Sequence, residues 1–188
     1  MTPKTKWIIS GAIALLALGI GARLFLPAEQ QASAPQPGAP EAAPAGTAGA
    51  EGTMAPDFTL PAARGNGTVS LSEYQGNVVL VNFWATWCPP CREEIPAFIQ
   101  VRDKLHAEGF EIIGVALDEG GASVVVPFAQ EFAISYPLAI GDQSVTQRYG
   151  GIRGIPASFL VDRNGKIVQK YLGAIDAQTL ENAVRAVL

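Results

Sequence analysis

Eight consecutive residues, Val78-Val79-Leu80-Val81-Asn82-Phe83-Trp84-Ala85, are apolar at every place but one, and Cys88-Pro89-Pro90-Cys91 follows almost at once. A short run of this kind, rich in β-branched and aromatic residues, reads as a strand buried on both faces. The residues from about Pro90 to Ala107 then place Ile95, Phe98, Ile99, Val101 and Leu105 close to helical spacing. A buried strand that delivers its chain into a helix commits the fold to a layered α/β arrangement.

The signals downstream continue the alternation. Glu111 to Leu117 reads as a second buried strand, with Gly109 marking the turn before it. Val124 to Phe132 reads as a helix, Ser135 to Ile140 as a short strand and Asp142 to Tyr149 as a short helix. Ala157–Val161 and Lys166–Tyr171 flank Asp162-Arg163-Asn164-Gly165, and Asn-Gly marks a hairpin. Asp176 is placed to cap a final helix whose inner face carries Leu180, Val184, Val187 and Leu188. The expected fold is therefore α/β: a mixed central sheet with helices on both faces.

The chain divides into three compositions. Residues 1–26 hold Lys4 and Lys6, then an apolar run from Trp7 to Leu26 in which Arg23 is the only charge. Twenty helical residues span about 30 Å, the thickness of a hydrocarbon core, if Arg23 reaches the far interface. A single transmembrane anchor and a cleaved export signal both fit. The anchor is favoured, because Pro35 directly after Ala32-Ser33-Ala34 hinders cleavage there. Either way the positive end stays inside and the rest is exported. With the anchor retained, the protein is expected at the inner (cytoplasmic) membrane, single-pass through residues 7–26, with its domain on the periplasmic or an equivalent extracytoplasmic side. Residues 27–54 are rich in Ala, Pro and Gly and read as a disordered tether with nothing to bury. Residues 55–188 form the folded domain and carry the whole formal net charge of −4. That balance leaves no electrostatic footprint for nucleic acid.

The chain has only two cysteines and one histidine. They cannot supply a closed zinc site, so no metal is expected. A disulfide between Cys88 and Cys91 closes too small a loop to stabilise a fold. Covalent haem attachment requires His directly after the second cysteine, where Arg92 stands. Redox chemistry remains. A cysteine at a helix N-terminus faces unsatisfied N–H groups and the positive end of the helix dipole, which favour its thiolate. Lowering a thiol pKa from about 8.5 to about 7 raises the thiolate fraction at neutral pH from about 3% to about half. Cys88, at the tip, is placed to attack a disulfide, and Cys91, one turn in and more buried, to resolve the mixed disulfide.

The stretch Val79 to Pro96, VLVNFWATWCPPCREEIP, resembles the active site of the thioredoxin superfamily. Tyr149 to Asp162, YGGIRGIPASFLVD, resembles its cis-proline segment. Ala55-Pro-Asp-Phe-Thr-Leu60 and the additional strand–helix unit between Glu111 and Ile140 narrow the likeness to membrane-tethered TlpA/ResA-type thiol–disulfide oxidoreductases. The resemblance implies a thioredoxin-like fold and a dithiol enzyme that needs no cofactor beyond the Cys88–Cys91 pair. It gives Pro156 the cis-proline role and Ile155 a backbone that pairs with a substrate segment. Trp87, Pro89 and Pro90 would line the substrate side of the sulfurs, and Glu94 would act on the thiols through its carboxyl group. The implied partners are a disulfide-bearing exported protein and a transmembrane thiol electron donor of the DsbD/CcdA type. Cytochrome c maturation and metal-site assembly are the processes such relatives serve.

Departures from the pattern argue against a general thioredoxin, at Asn82, and against the cytochrome c maturation branch in particular, at Ala157. Asn82 stands where thioredoxins proper keep a buried Asp, and Ala157 follows the proline where Thr or an acidic residue is common. No His separates the cysteines, unlike in strong oxidants, which points to a reductase. A peroxiredoxin-like thiol peroxidase would need Pro and Thr or Ser where Val81 and Ala85 stand. A Cu(I) metallochaperone would rest on the same two thiols without the distant His and wider spacing of copper carriers. His106 and the loop acids Asp118 and Glu119 are expected at the surface without a role.

Overall fold

The computed structural model describes residues 49–188. The expected anchor at 1–26 and the tether as far as residue 48 lie outside the described residues. Among the described residues, no helix is long and apolar enough to cross a membrane.

Among the described residues, seven strands and four α-helices follow one another. They are β1 (Thr59–Pro61), β2 (Thr68–Ser70), β3 (Val78–Trp84), α1 (Pro89–Leu105), β4 (Phe110–Ala116), α2 (Ala122–Glu131), β5 (Leu138–Ile140), α3 (Gln143–Arg148), β6 (Ala157–Val161), β7 (Ile167–Leu172) and α4 (Ala177–Arg185). Five of the strands form one mixed sheet in the order β5-β4-β3-β6-β7. β3 pairs with β4, and β4 with β5, in parallel; β6 and β7 join antiparallel.

The run read as a two-sided strand is β3, and every one of its residues is buried. Alternation sends Val78, Leu80, Asn82 and Trp84 to one face and Val79, Val81 and Phe83 to the other. The first face packs with Ile95, Phe98, Val101 and Leu105 of α1, Val125 and Ala129 of α2, and Leu180 and Val184 of α4. The second face packs with Val145 of α3, Tyr149 and the β1–β2 pair. Asn82 is thereby the one polar residue of β3 and is turned toward α1.

Two local devices fix the ends of elements. Asp176 Oδ1 accepts from the backbone N–H of Thr179 at 2.8 Å and caps α4. Gly109, at φ 96°, ends the turn after α1 in the left-handed region that side chains disfavour.

The last residues of the expected tether are strand-paired. Gly52 N–H donates to Ile167 O at 2.7 Å, Ile167 N–H to Thr53 O at 2.9 Å, and Ala55 N–H to Gly165 O at 2.8 Å. Glu51 Oε1 accepts from Lys170 N–H at 2.9 Å. Backbone groups supply most of this docking, and an Ala/Gly-rich composition does not register them. On the opposite side of the sheet, Ala62 bridges to Ala139 and Ala63 N–H donates to Leu138 O at 2.8 Å.

Candidate active site

The site lies where β3 ends and α1 begins. Cys88 is the N-cap of α1, with Pro89 and Pro90 in the first turn, where a missing N–H costs nothing. Cys88 and Cys91 are joined in a disulfide. The Cys91 backbone N–H points at Cys88 Sγ across 3.3 Å, so one orphan donor of the helix terminus faces the sulfur that would carry the negative charge.

Ile155 O lies 3.7 Å from Cys88 Sγ, and the Ile155–Pro156 peptide bond is cis. The two cysteines are 3% and 1% exposed, so the expected difference in burial between them is nearly absent in this oxidised form. The loop carrying Ile155 covers Cys88 from outside. Trp87 instead stands out from the surface at 66% exposure, an apolar rim beside the sulfurs.

Glu94, one turn beyond Cys91, is 2% exposed. Its Oε1 accepts from Asn82 Nδ2 at 2.9 Å and its Oε2 from Ile175 N–H at 3.3 Å. The same Asn82 amide also donates to Ser158 Oγ on the neighbouring strand, at 2.9 Å. Burial pushes the Glu94 carboxyl up to about 7, against the downward pull of the hydrogen bonds from Asn82 and Ile175. Asn82 thus serves as donor to a buried carboxyl that the helix supplies. A buried carboxyl that titrates near neutrality three residues after Cys91 is available as a proton acceptor or donor.

Asp118 corrects the expectation of a surface acid. It is 7% exposed. Its Oδ1 accepts from Thr86 Oγ1 at 2.6 Å, and its two oxygens share the Thr86 N–H at 3.2 and 3.1 Å. The carboxylate holds the turn between β3 and Cys88. Nothing in the local sequence marks it, because its partner lies 32 residues away. Asp118→Ala leaves the Thr86 donors unpaired and is expected to cost about 2 kcal/mol of stability in urea unfolding. Asp118→Asn keeps one acceptor oxygen and is expected to lose less. Equal losses in the two variants would show that these hydrogen bonds are not the cause.

His106 lies far along the chain from this site, with Nδ1 3.4 Å from Glu111 Oε2. Among the described residues, no cluster of side chains could hold a metal ion.

The AhpC/TSA family model matches residues 52–170. The thiol-disulfide oxidoreductase ResA of Geobacillus kaustophilus is 33% identical over 141 residues, covering 75% of this chain and 80% of that one. The thioredoxin-like protein YneN of Bacillus subtilis is 32% identical over 133 residues, covering 70% and 76%. Among solved structures, a thioredoxin-family thiol:disulfide interchange protein of Chlorobium tepidum matches with a TM-score of 0.67 and 31% identity, covering 73% of this chain and 97% of that one. The thioredoxin domain of a Bacteroides vulgatus thiol-disulfide oxidoreductase matches with a TM-score of 0.66 and 32% identity, covering 74% and 99%. With its dithiol at the head of α1 and these relatives, the chain belongs to the AhpC/TSA family and is a thioredoxin-like thiol–disulfide oxidoreductase of the ResA type.

Proposed function

We propose that this oxidoreductase works as a reductase of disulfides in exported proteins, held at the cytoplasmic membrane by residues 7–26 with its domain on the extracytoplasmic side. The observation that carries the reading is the Cys88–Cys91 pair at the N-terminus of α1, with Ile155 O 3.7 Å from Cys88 Sγ. Electrons come from a transmembrane dithiol donor of the DsbD/CcdA type. Apocytochromes awaiting haem and proteins awaiting a metal are the candidate substrates.

In the reduced enzyme the Cys88 thiolate, favoured by the helix terminus, attacks one sulfur of the substrate disulfide. A bond forms between Cys88 and that sulfur, and the other substrate sulfur leaves as a thiolate and takes a proton. The substrate segment lies along the Ile155 backbone, between Trp87 and Pro156. Cys91 then gives up its proton, for which Glu94 is the buried acceptor, and attacks Cys88 Sγ. The second substrate thiol departs, and the enzyme pair is left as the disulfide. Two electrons have passed from the enzyme dithiol to the substrate disulfide, and the donor restores them.

The absence of a histidine between the cysteines supports the reducing direction, because such a residue stabilises the thiolate of strong oxidants. Equilibration of the protein with glutathione buffers is expected to give a potential of about −250 mV. A value of about −120 mV, as in a strong oxidant, would overturn the direction proposed here.

A further inference from the structure

Beside the Ile155–Pro156 bond a depression of about 440 Å³ opens between the loop 150–155 and the end of β7. Ile155 belongs both to its wall and to the surroundings of Cys88 Sγ, so the depression adjoins the place where a chain bonded to Cys88 begins. Lys170 and Leu172 stand two residues apart on β7 and hence share a face, opposite Phe159 and Ala157 of β6. Ala157 adds only a methyl group at that end. Leu172, 76% exposed, presents an apolar side chain that none of the described residues covers.

The charges at this place have one sign. Arg153 and Lys170 line the depression, and among the described residues no Asp or Glu does. Arg153 forms no ion pair among the described residues. Lys170 Nζ lies 5.2 Å from the centroid of Phe159, over the aromatic face, and makes no ion pair among the described residues. Glu51, the carboxylate that approaches this strand, is turned to the Lys170 backbone N–H. Along the loop, the N–H groups of Arg153, Gly154 and Ile155 have no acceptor among the described residues. In a domain whose sequence carries the chain's whole net charge of −4, this is a local reversal of sign.

We propose that this depression seats the substrate segment flanking the reacting cysteine, and that it selects exported proteins with carboxylates and an apolar side chain beside that cysteine. The proposal rests on the disulfide-exchange reading above. An extended segment advances about 3.3 Å per residue, so the side chains within about three residues of the bonded cysteine reach Arg153, Lys170 and Leu172. The carboxylates pair with the two cations and the free loop N–H groups, and the apolar side chain covers Leu172. Such pairing at a solvent-accessible rim acts chiefly on the rate of encounter and is weakened by salt.

The test uses the full chain in its reduced form and two otherwise identical peptides with an internal disulfide, one with Asp and the other with Lys on both sides of each cysteine. Rates are normalised, for each variant, to that with the uncharged hydroxyethyl disulfide. The acidic peptide is expected to react about tenfold faster than the basic one at low ionic strength, and the ratio to shrink toward one in high salt. In the double variant Arg153→Glu and Lys170→Glu the preference is expected to vanish or invert. Equal rates for the two peptides, or a preference unchanged by the double variant, would overturn the proposal. Failure of the wild-type chain to reduce hydroxyethyl disulfide would overturn the exchange reading itself, and this proposal with it.

Discussion

Replacing Cys91 by Ser is expected to stop turnover after its first step and leave Cys88 covalently joined to its substrate. In the proposed cycle the mixed disulfide is short-lived, because Cys91, whose sulfur is bonded to Cys88 Sγ in the oxidised protein, displaces the substrate. A hydroxyl in its place cannot take up the disulfide bond, so the adduct survives until an external thiol cleaves it. Non-reducing electrophoresis of the variant expressed in its host should show a heavier species that collapses to the monomer with reductant. Mass spectrometry of that species identifies the partner. Cys88→Ser removes the attacking thiolate and should reduce exchange to the uncatalysed rate with no adduct. An adduct that persists when Cys88, but not Cys91, is replaced would reverse the roles assigned to the two cysteines.

The second large effect concerns pH. In the oxidised protein the buried Glu94 carboxyl binds its proton up to about pH 7, whereas the same group in the unfolded chain releases it near its ordinary value of 4.5. Between these limits the folded state holds more protons than the unfolded one, and stability therefore falls as pH rises. The contribution is fully present below pH 4.5 and lost above about 7, a difference of about 3 kcal/mol. Asp176 and Glu181 do not contribute in this window. Hydrogen bonds from Thr179 and from Lys104 respectively hold their carboxyls below the ordinary range, so their effect appears only as pH falls further.

Glu94→Gln should flatten the slope. Gln still accepts from Asn82, but its amide offers donors where Ile175 N–H needs an acceptor. The variant is expected to be less stable than wild type at pH 5 and to close much of the gap by pH 8. Urea titrations of both oxidised proteins across this range measure the effect, and parallel pH profiles would exclude Glu94 as its source.

What the amino-acid order makes legible differs from one element to the next. β3 and the Cys88 turn can be read directly, because a run of eight almost wholly apolar residues, seven of them strand, leaves few alternatives and the helix pattern follows closely. Asp176 and the Asn164–Gly165 hairpin are equally local, each requiring only its neighbours along the chain. β1 and β2 escaped the reading because each has three residues, too few to show an alternation. The surroundings of Glu94 needed the fold. Its partners Asn82 and Ile175 lie 12 and 81 residues away, and only the two-residue period of β3 against α1 brings the first of them under the helix. Asp118 was misjudged for the same reason, since an acid after a strand looks like any solvated loop residue until Thr86 is found against it.

The pairing of residues 52–55 beside β7, and of Ala62 and Ala63 along β5, has a consequence for the proposed action on incompletely folded exported proteins. An open sheet margin offers a row of free amides and carbonyls on which any extended polypeptide can nucleate aggregation. Here stretches of both outer strands are already occupied by the protein's own chain. Under the proposed function, unfolded clients, which bring abundant unpaired backbone, would find their strand-pairing opportunity at Ile155, next to the sulfur that must meet them, and release would follow when their thiol departs.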